Sequence, residues 1–177
     1  SGGNNSAIGD NALAAVTSGA NNTAMGQTAW DSITTGSSNI CVGRASLASI
    51  TTSSNNTAIG NDSGANTTGT SNVLIGNSVA QTLTSGSSNV IIGNAADTSI
   101  SSTSSAIALG ASAIAGSNQF VVGSTTSFIS NTFIGNGITN AAPQANILNG
   151  TGGSGTNIAG AAITLASGKG TGNSTPS

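Results

Sequence analysis

An all-β fold, a parallel β-solenoid or β-roll of coils about 17 residues long, is predicted by two regularities of this 177-residue chain. Glycine recurs at Gly9, Gly26, Gly43, Gly60, Gly76, Gly93 and Gly110, in steps of 17, 17, 17, 16, 17 and 17 residues, and then at Gly123 and Gly135 after steps of 13 and 12. Each glycine closes a short apolar run: SAIG, TAMG, ICVG, TAIG, VLIG, VIIG, IALG, FVVG and TFIG. A fixed period of this size means one structural unit stacked many times, each burying its apolar side chains on its neighbours. Function is therefore expected on a surface or in an assembly rather than in one pocket.

Taken in order along one coil, the columns justify each element. The residue before the glycine is Ile8, Met25, Val42, Ile59, Ile75, Ile92, Leu109, Val122 or Ile134, and the one before that is Ala7, Ala24, Cys41, Ala58, Leu74, Ile91, Ala108, Val121 or Phe133. Neighbouring strand residues point to opposite faces, so two adjacent apolar columns predict a short strand covered on both sides. Four places before the glycine stands Asn5, Asn22, Asn39, Asn56, Asn72 or Asn89, and again Asn131. Asn and Gly both tolerate left-handed backbone, which predicts a turn on either side of the strand. Leu13, Trp30 and Leu47 follow four places after the glycine; Val16, Ile33, Ile50, Leu83 and Ile100 stand at seven. A hydroxyl column, Thr17, Thr34, Thr51, Thr68, Thr84 and Ser101, stands at eight, and Gly19, Gly36, Gly69 and Gly86 mark the next turn. One unit thus reads strand, glycine turn, second short strand, Thr-Gly turn, Asn turn.

A single coil cannot stand alone. Its three buried apolar side chains offset only part of the entropy lost in ordering its backbone. The apolar column left over on the strand predicts that parallel chains also pack together, intertwined or side by side, and three is the natural number for a slender closed bundle. The predicted organisation is a regular solenoid over 4–116, shortened transition coils over 117–137, and a Gly/Ser-rich extended segment over 138–177. Repeats begin almost at residue 1 without a cap, and exposed edges of a parallel stack invite aggregation; the chain is expected to be a segment of a longer protein or to dock on a partner.

Composition narrows the function. Charged residues make up 3% of the chain, against about 25% in ordinary domains. The charged groups are Asp10, Asp31, Asp62, Asp97, Arg44 and Lys169, with no His or Glu. Two basic residues and a net charge of -2 argue against nucleic acid, which needs clustered cations, and against anionic membranes. No apolar stretch approaches the roughly 18 residues that span a bilayer, and SGGNNSAIG has neither the basic start nor the apolar run of a signal peptide. Cys41 is the sole cysteine, so no intrachain disulfide can form. Ile, Val and Thr placed periodically argue for order over disorder.

The strings NNSAIGDNALAAVTSGANNTAMG and NNTAIGNDSGANTTGTSN resemble repeats of bacteriophage tail fibres. They are also similar to the head repeats of trimeric autotransporter adhesins of the YadA-like family, whose core recurs about every 14 residues. The tail GTNIAGAAITLASGKGTGNS resembles a Gly-rich segment of phage fibres. The resemblance covers 4–135 for the repeats and 146–174 for the tail, and the longer unit favours the phage-fibre side. It implies a homotrimeric attachment fibre in a virion or at a cell surface, working with other fibre or virion proteins and binding a host-surface glycan or protein.

Chemistry-bearing residues are few. The Asn column is read as turn and amide-ladder chemistry rather than a glycan site. The Thr column lacks the paired ranks of an ice-binding face. Trp30 is assigned to core or interface filling rather than sugar stacking, Cys41 to a buried thiol, and Arg44 and Lys169 to solvation. The four Asp occupy four different repeat positions, so spacing sets no carboxylate pair for a depolymerase, and calcium loops are absent. The expectation is a non-enzymatic protein with no catalytic residues, cofactor or metal: a phage tail-fibre segment, with the head of a bacterial trimeric adhesin as the alternative, and an ice-binding solenoid or a tailspike depolymerase behind both.

Overall fold

The computed structural model describes residues 2–124; the readings for Asn131, Gly135, Lys169, the rest of the transition coils and the 138–177 segment lie outside the described residues. Ten short strands follow in order: β1 (Ser6–Ile8), β2 (Thr23–Met25), β3 (Ile40–Val42), β4 (Thr57–Ile59), β5 (Val73–Ile75), β6 (Val90–Ile92), β7 (Asp97–Thr98), β8 (Ile107–Leu109), β9 (Ile114–Ala115) and β10 (Phe120–Val122). Eight of them form one parallel sheet in the order β1-β2-β3-β4-β5-β6-β8-β10, and β7 pairs with β9 in a second. The described residues thus form a β-solenoid of about seven turns. At about 4.8 Å per coil, the eight-stranded sheet is roughly 34 Å tall.

Each three-residue strand of this sheet ends at one of the glycines of the period, and register follows the glycines. Ala7 pairs with Ala24, Ala24 with Cys41, Cys41 with Ala58, Ala58 with Leu74, Leu74 with Ile91, Ile91 with Ala108 and Ala108 with Val121. Two effects demand glycine at the strand's end. At Gly76 the backbone holds φ at 139°, which side-chain-bearing residues rarely adopt. A Cβ there would also stand 2.6 Å from the carbonyl oxygen of Gly93 in the next coil, so the stack closes on itself at backbone distance.

The irregular steps are absorbed away from the sheet. In the 16-residue coil, the Thr68 amide still bonds the Thr84 carbonyl and the Asn56 side chain still reaches the Gly69 carbonyl, so the missing residue falls between Thr68 and Gly69. In the 13-residue coil, β7 and β9 stay paired, Asp97 with Ile114 and Thr98 with Ala115. The Ser104 amide then bonds the Ser117 hydroxyl. The excursion that earlier coils make between those points is gone, yet β10 remains in register on β8.

The expected second strand of each coil is corrected. Among the described residues only the two coils that carry β7 and β9 have it. In the first five coils, left-handed residues two and four places after the glycine interrupt any extended run: Asn11 and Leu13, Thr28 and Trp30, Ala45 and Leu47, Asp62 and Gly64, Ser78 and Ala80. These kinks turn Leu13, Trp30, Leu47 and Ala80 into the coil, where they join the inward strand column in one buried cluster. The two columns share the space. Small Ala24 and Cys41 accompany Trp30 and Leu47, whereas large Leu74 accompanies Ala80, and all of these are buried. At Gly64 (φ 61°) a Cβ would collide with the Leu74 side chain and stand 2.9 Å from Leu47 Cδ2, so glycine there leaves room for two leucines.

Candidate self-association surface

The column two places before the glycine faces inward: Ala24, Cys41, Ala58, Leu74, Ile91 and Ala108 are buried. Its neighbours on either side must then face outward. Just before the glycine run Ile8, Met25, Val42, Ile59, Ile75, Ile92, Leu109 and Val122; three places before it run Ser6, Thr23, Ile40, Thr57, Val73, Val90, Ile107 and Phe120. Within one chain Val42, Ile75, Leu109 and four others are half-buried and the rest are exposed, from Ile92 at 36% to Ile8 at 63% and Phe120 at 67%. The result is a strip two side chains wide along the whole sheet, 13 of its 16 positions apolar. About 34 Å by about 10 Å reaches the size of the largest apolar patches that monomeric proteins leave bare. Sequence pattern showed that the strand had two apolar faces; the structure decides which of them lies inside.

Polar columns rim the strip. On one side stand Asp10, Gln27, Arg44, Asn61, Asn77 and Asn94, directly after the glycines. On the other stand Asn4, Asn21, Ser38, Asn55, Ser71, Ser88, Ser105 and Asn118, all exposed and all left-handed. This corrects the turn assignment. The left-handed step falls one residue before Asn5, Asn22, Asn39, Asn56, Asn72 and Asn89, none of which has a positive φ.

Those column asparagines instead form a ladder inside the stack. The amide N–H of Asn22 donates to Asn5 Oδ1 at 3.0 Å, that of Asn39 to Asn22 Oδ1 at 3.0 Å, and that of Asn56 to Asn39 Oδ1 at 2.8 Å. Asn72 on Asn56, Asn89 on Asn72 and Ala106 on Asn89 continue it at 2.9, 3.0 and 3.0 Å. Each Nδ2 donates onward to a carbonyl of the next coil, as Asn22 to Gly36 at 2.9 Å and Asn89 to Thr103 at 2.8 Å. Among the described residues no buried side-chain N or O atom lacks a partner.

Two hydroxyl ladders run beside it. Thr17, Thr34, Thr68 and Thr84 donate to the carbonyls of Thr34, Thr51, Thr84 and Ser101 one coil on. The hydroxyls of Ser37, Ser54, Ser87, Ser104 and Ser117 accept the amides of Ala20, Ser37, Thr70, Ser87 and Ser104. Sequence reading missed the second ladder, although a serine six places before the glycine was its visible signal.

The remaining singled-out residues are held structurally. Trp30 is fully buried, its Nε1 donating to the Ile50 carbonyl at 2.9 Å. Burial pushes the Cys41 thiol far above its usual range. Arg44, read as merely solvated, pairs with Asp62 of the next coil at 2.7 Å across half-exposed surface, a position worth at most about 1 kcal/mol. Asp62 also accepts from Asn61, Asp97 from the amides of Thr82 and Thr98, Asp31 from Ser32 and Asp10 from Asn11. Among the described residues no three His, Cys, Asp or Glu side chains cluster to hold a metal, and no helix is long and apolar enough to cross a membrane.

Fold and surface together define a β-solenoid that carries a continuous apolar sheet face between polar rims. No family model, no curated protein and no solved structure matches the chain.

Proposed function

We propose that the chain is a structural and adhesive fibre segment, a parallel homotrimer whose sheet faces pack about a common axis, serving host attachment as part of a phage tail fibre. The apolar strip from Ile8 to Phe120 carries this reading. A side-by-side copy of the same stack has the same coil rise, so its side chains stay level with this strip over its whole height; a partner without that repeat would match it only locally. The packed strips would give the interior that a thin single-chain stack lacks. The polar rims, rich in Asn and Ser rather than charge, would stay wet at the outer seams.

The repeat strings that resemble phage fibres support the choice of assembly. The mechanism is mechanical and multivalent: a stiff rod presents three copies of a weak contact, and effective concentration raises the overall affinity without any new contact. The protein is non-enzymatic in this reading. Images of the particle or filament that carries the chain should show a three-fold rod, and the purified protein should be retained on host cells without releasing glycan fragments. A rod one chain thick, or glycan cleavage, would overturn the reading.

A further inference from the structure

We infer that the associated copies are held together chiefly by the last four coils of the described sheet, those of Val73, Val90, Ile107 and Phe120, and that the first four coils form an end that opens. This rests on the self-association reading above. The strip is uneven along its height. Its column three places before the glycine reads Ser6, Thr23, Ile40 and Thr57 in the first four coils, and Val73, Val90, Ile107 and Phe120 in the last four. The column just before the glycine is apolar throughout, from Ile8 to Val122. Covering the last four coils therefore removes only hydrocarbon side chains from water, which favours association. Covering the first four also removes three hydroxyls per chain.

Those hydroxyls gain nothing by being covered. Parallel copies about a common axis bring the column three places before the glycine against the neighbour's column just before it, and that column offers only apolar side chains. Their own chain offers no replacement. The hydroxyls of Thr17, Thr34, Thr68 and Thr84 are engaged by carbonyls of their own chain. Those of Ser6, Thr23 and Thr57 have no hydrogen-bond partner within the described residues. In one chain these three residues are exposed or half-buried, within reach of water. Association takes that water away and leaves the hydroxyls unpaired, which is costly.

Thr57 isolates the effect. Strand register sets Ile40 on one side of it and Val73 on the other, so no hydroxyl of its own column adjoins it. Val90 holds the same column with a side chain of the same shape and carries no such cost. The two ends differ in their anchors as well. Ser6 is the smallest side chain on the strip, whereas Phe120 is its only aromatic and stands 67% exposed in one chain, the kind of side chain that dominates interface affinity.

The test uses two positions that differ little within one chain. Met25 is 44% exposed and Ile92 36%; both stand just before a glycine, one in each half of the strip. Met25→Cys and Ile92→Cys are made separately in the full chain and pulsed with a maleimide, the native Cys41 being buried. In the associated protein Met25→Cys should be labelled at least about tenfold faster than Ile92→Cys, because its end opens. Adding Thr23→Val and Thr57→Val should slow labelling of Met25→Cys about tenfold, and adding Val90→Thr should speed labelling of Ile92→Cys by a similar factor. Equal labelling at the two positions of an associated protein, or no change on exchanging hydroxyl and methyl, would overturn the uneven strip alone. A protein of single-chain mass by sedimentation, labelled equally fast at both positions, would overturn this inference together with the reading beneath it.

Discussion

Trp30 and Ile50 tie consecutive coils together through the core: the indole Nε1 of one donates to the carbonyl of the other at 2.9 Å, with both side chains fully buried. Trp30→Phe keeps most of the ring but leaves that carbonyl unpaired, at a cost of about 1–3 kcal/mol. Trp30→Ala adds a cavity and should cost about 3–5 kcal/mol. Denaturant unfolding of the two variants should show this order. Because Trp30 is the only tryptophan, its native emission should be blue-shifted and should move to the red in the same transition.

Gly76 and Gly3 make a paired test of the stack. Gly76→Ala forces a side chain into φ 139° and against the Gly93 carbonyl, so it should destabilise by about 1–3 kcal/mol from backbone strain alone. A Cβ at Gly3 meets nothing within 4 Å, so Gly3→Ala should fall within about 0.5 kcal/mol of the parent. Equal effects in thermal or denaturant melts would contradict the backbone packing described for the glycine column.

Asn56 accepts the Asn72 amide and donates to the Gly69 carbonyl, both buried. Asn56→Ala strands both groups, at about 1–3 kcal/mol each. Amide exchange should report it locally: the Asn72 N–H, slow in the parent, should exchange faster in the variant, while the Ala24 N–H, two coils from Asn56, should change little.

Cys41 gives a pH test. Burial raises its folded pKa above the unfolded value near 8.5. Below that value both states hold the proton and stability is unaffected. Above it the unfolded chain loses the proton first, so stability should fall by up to about 1.4 kcal/mol per pH unit. Cys41→Ala, which matches Ala24 and Ala58 in the same column, should remove that slope. The native thiol should also resist aromatic disulfide reagents until the chain unfolds.

Strand positions and register were legible because glycine at a backbone contact admits no substitute; the period of Gly9 through Gly123 marks the end of every strand in the main sheet. The path between strands was not. Leu13, Trp30 and Leu47 adopt left-handed backbone that their own preferences disfavour, and only burial in the shared core holds them there. The left-handed step at Asn21 or Ser38 sits beside the conspicuous asparagine rather than on it, since the column asparagine is committed to the ladder. Arg44 and Asp62 meet because consecutive coils stack, although they stand at different places in their repeats. Which apolar column faces inward depended on the loop residues packed against it, so the candidate surface became visible only in three dimensions.

A fibre segment of the kind proposed needs the strip from Ile8 to Phe120 covered by other copies of the chain. Sedimentation equilibrium of the intact protein measures this most directly. A single species at three times the 16.6 kDa chain mass, unchanged on dilution through the micromolar range, is the predicted result. A single-chain mass, with the strip bare, would contradict it.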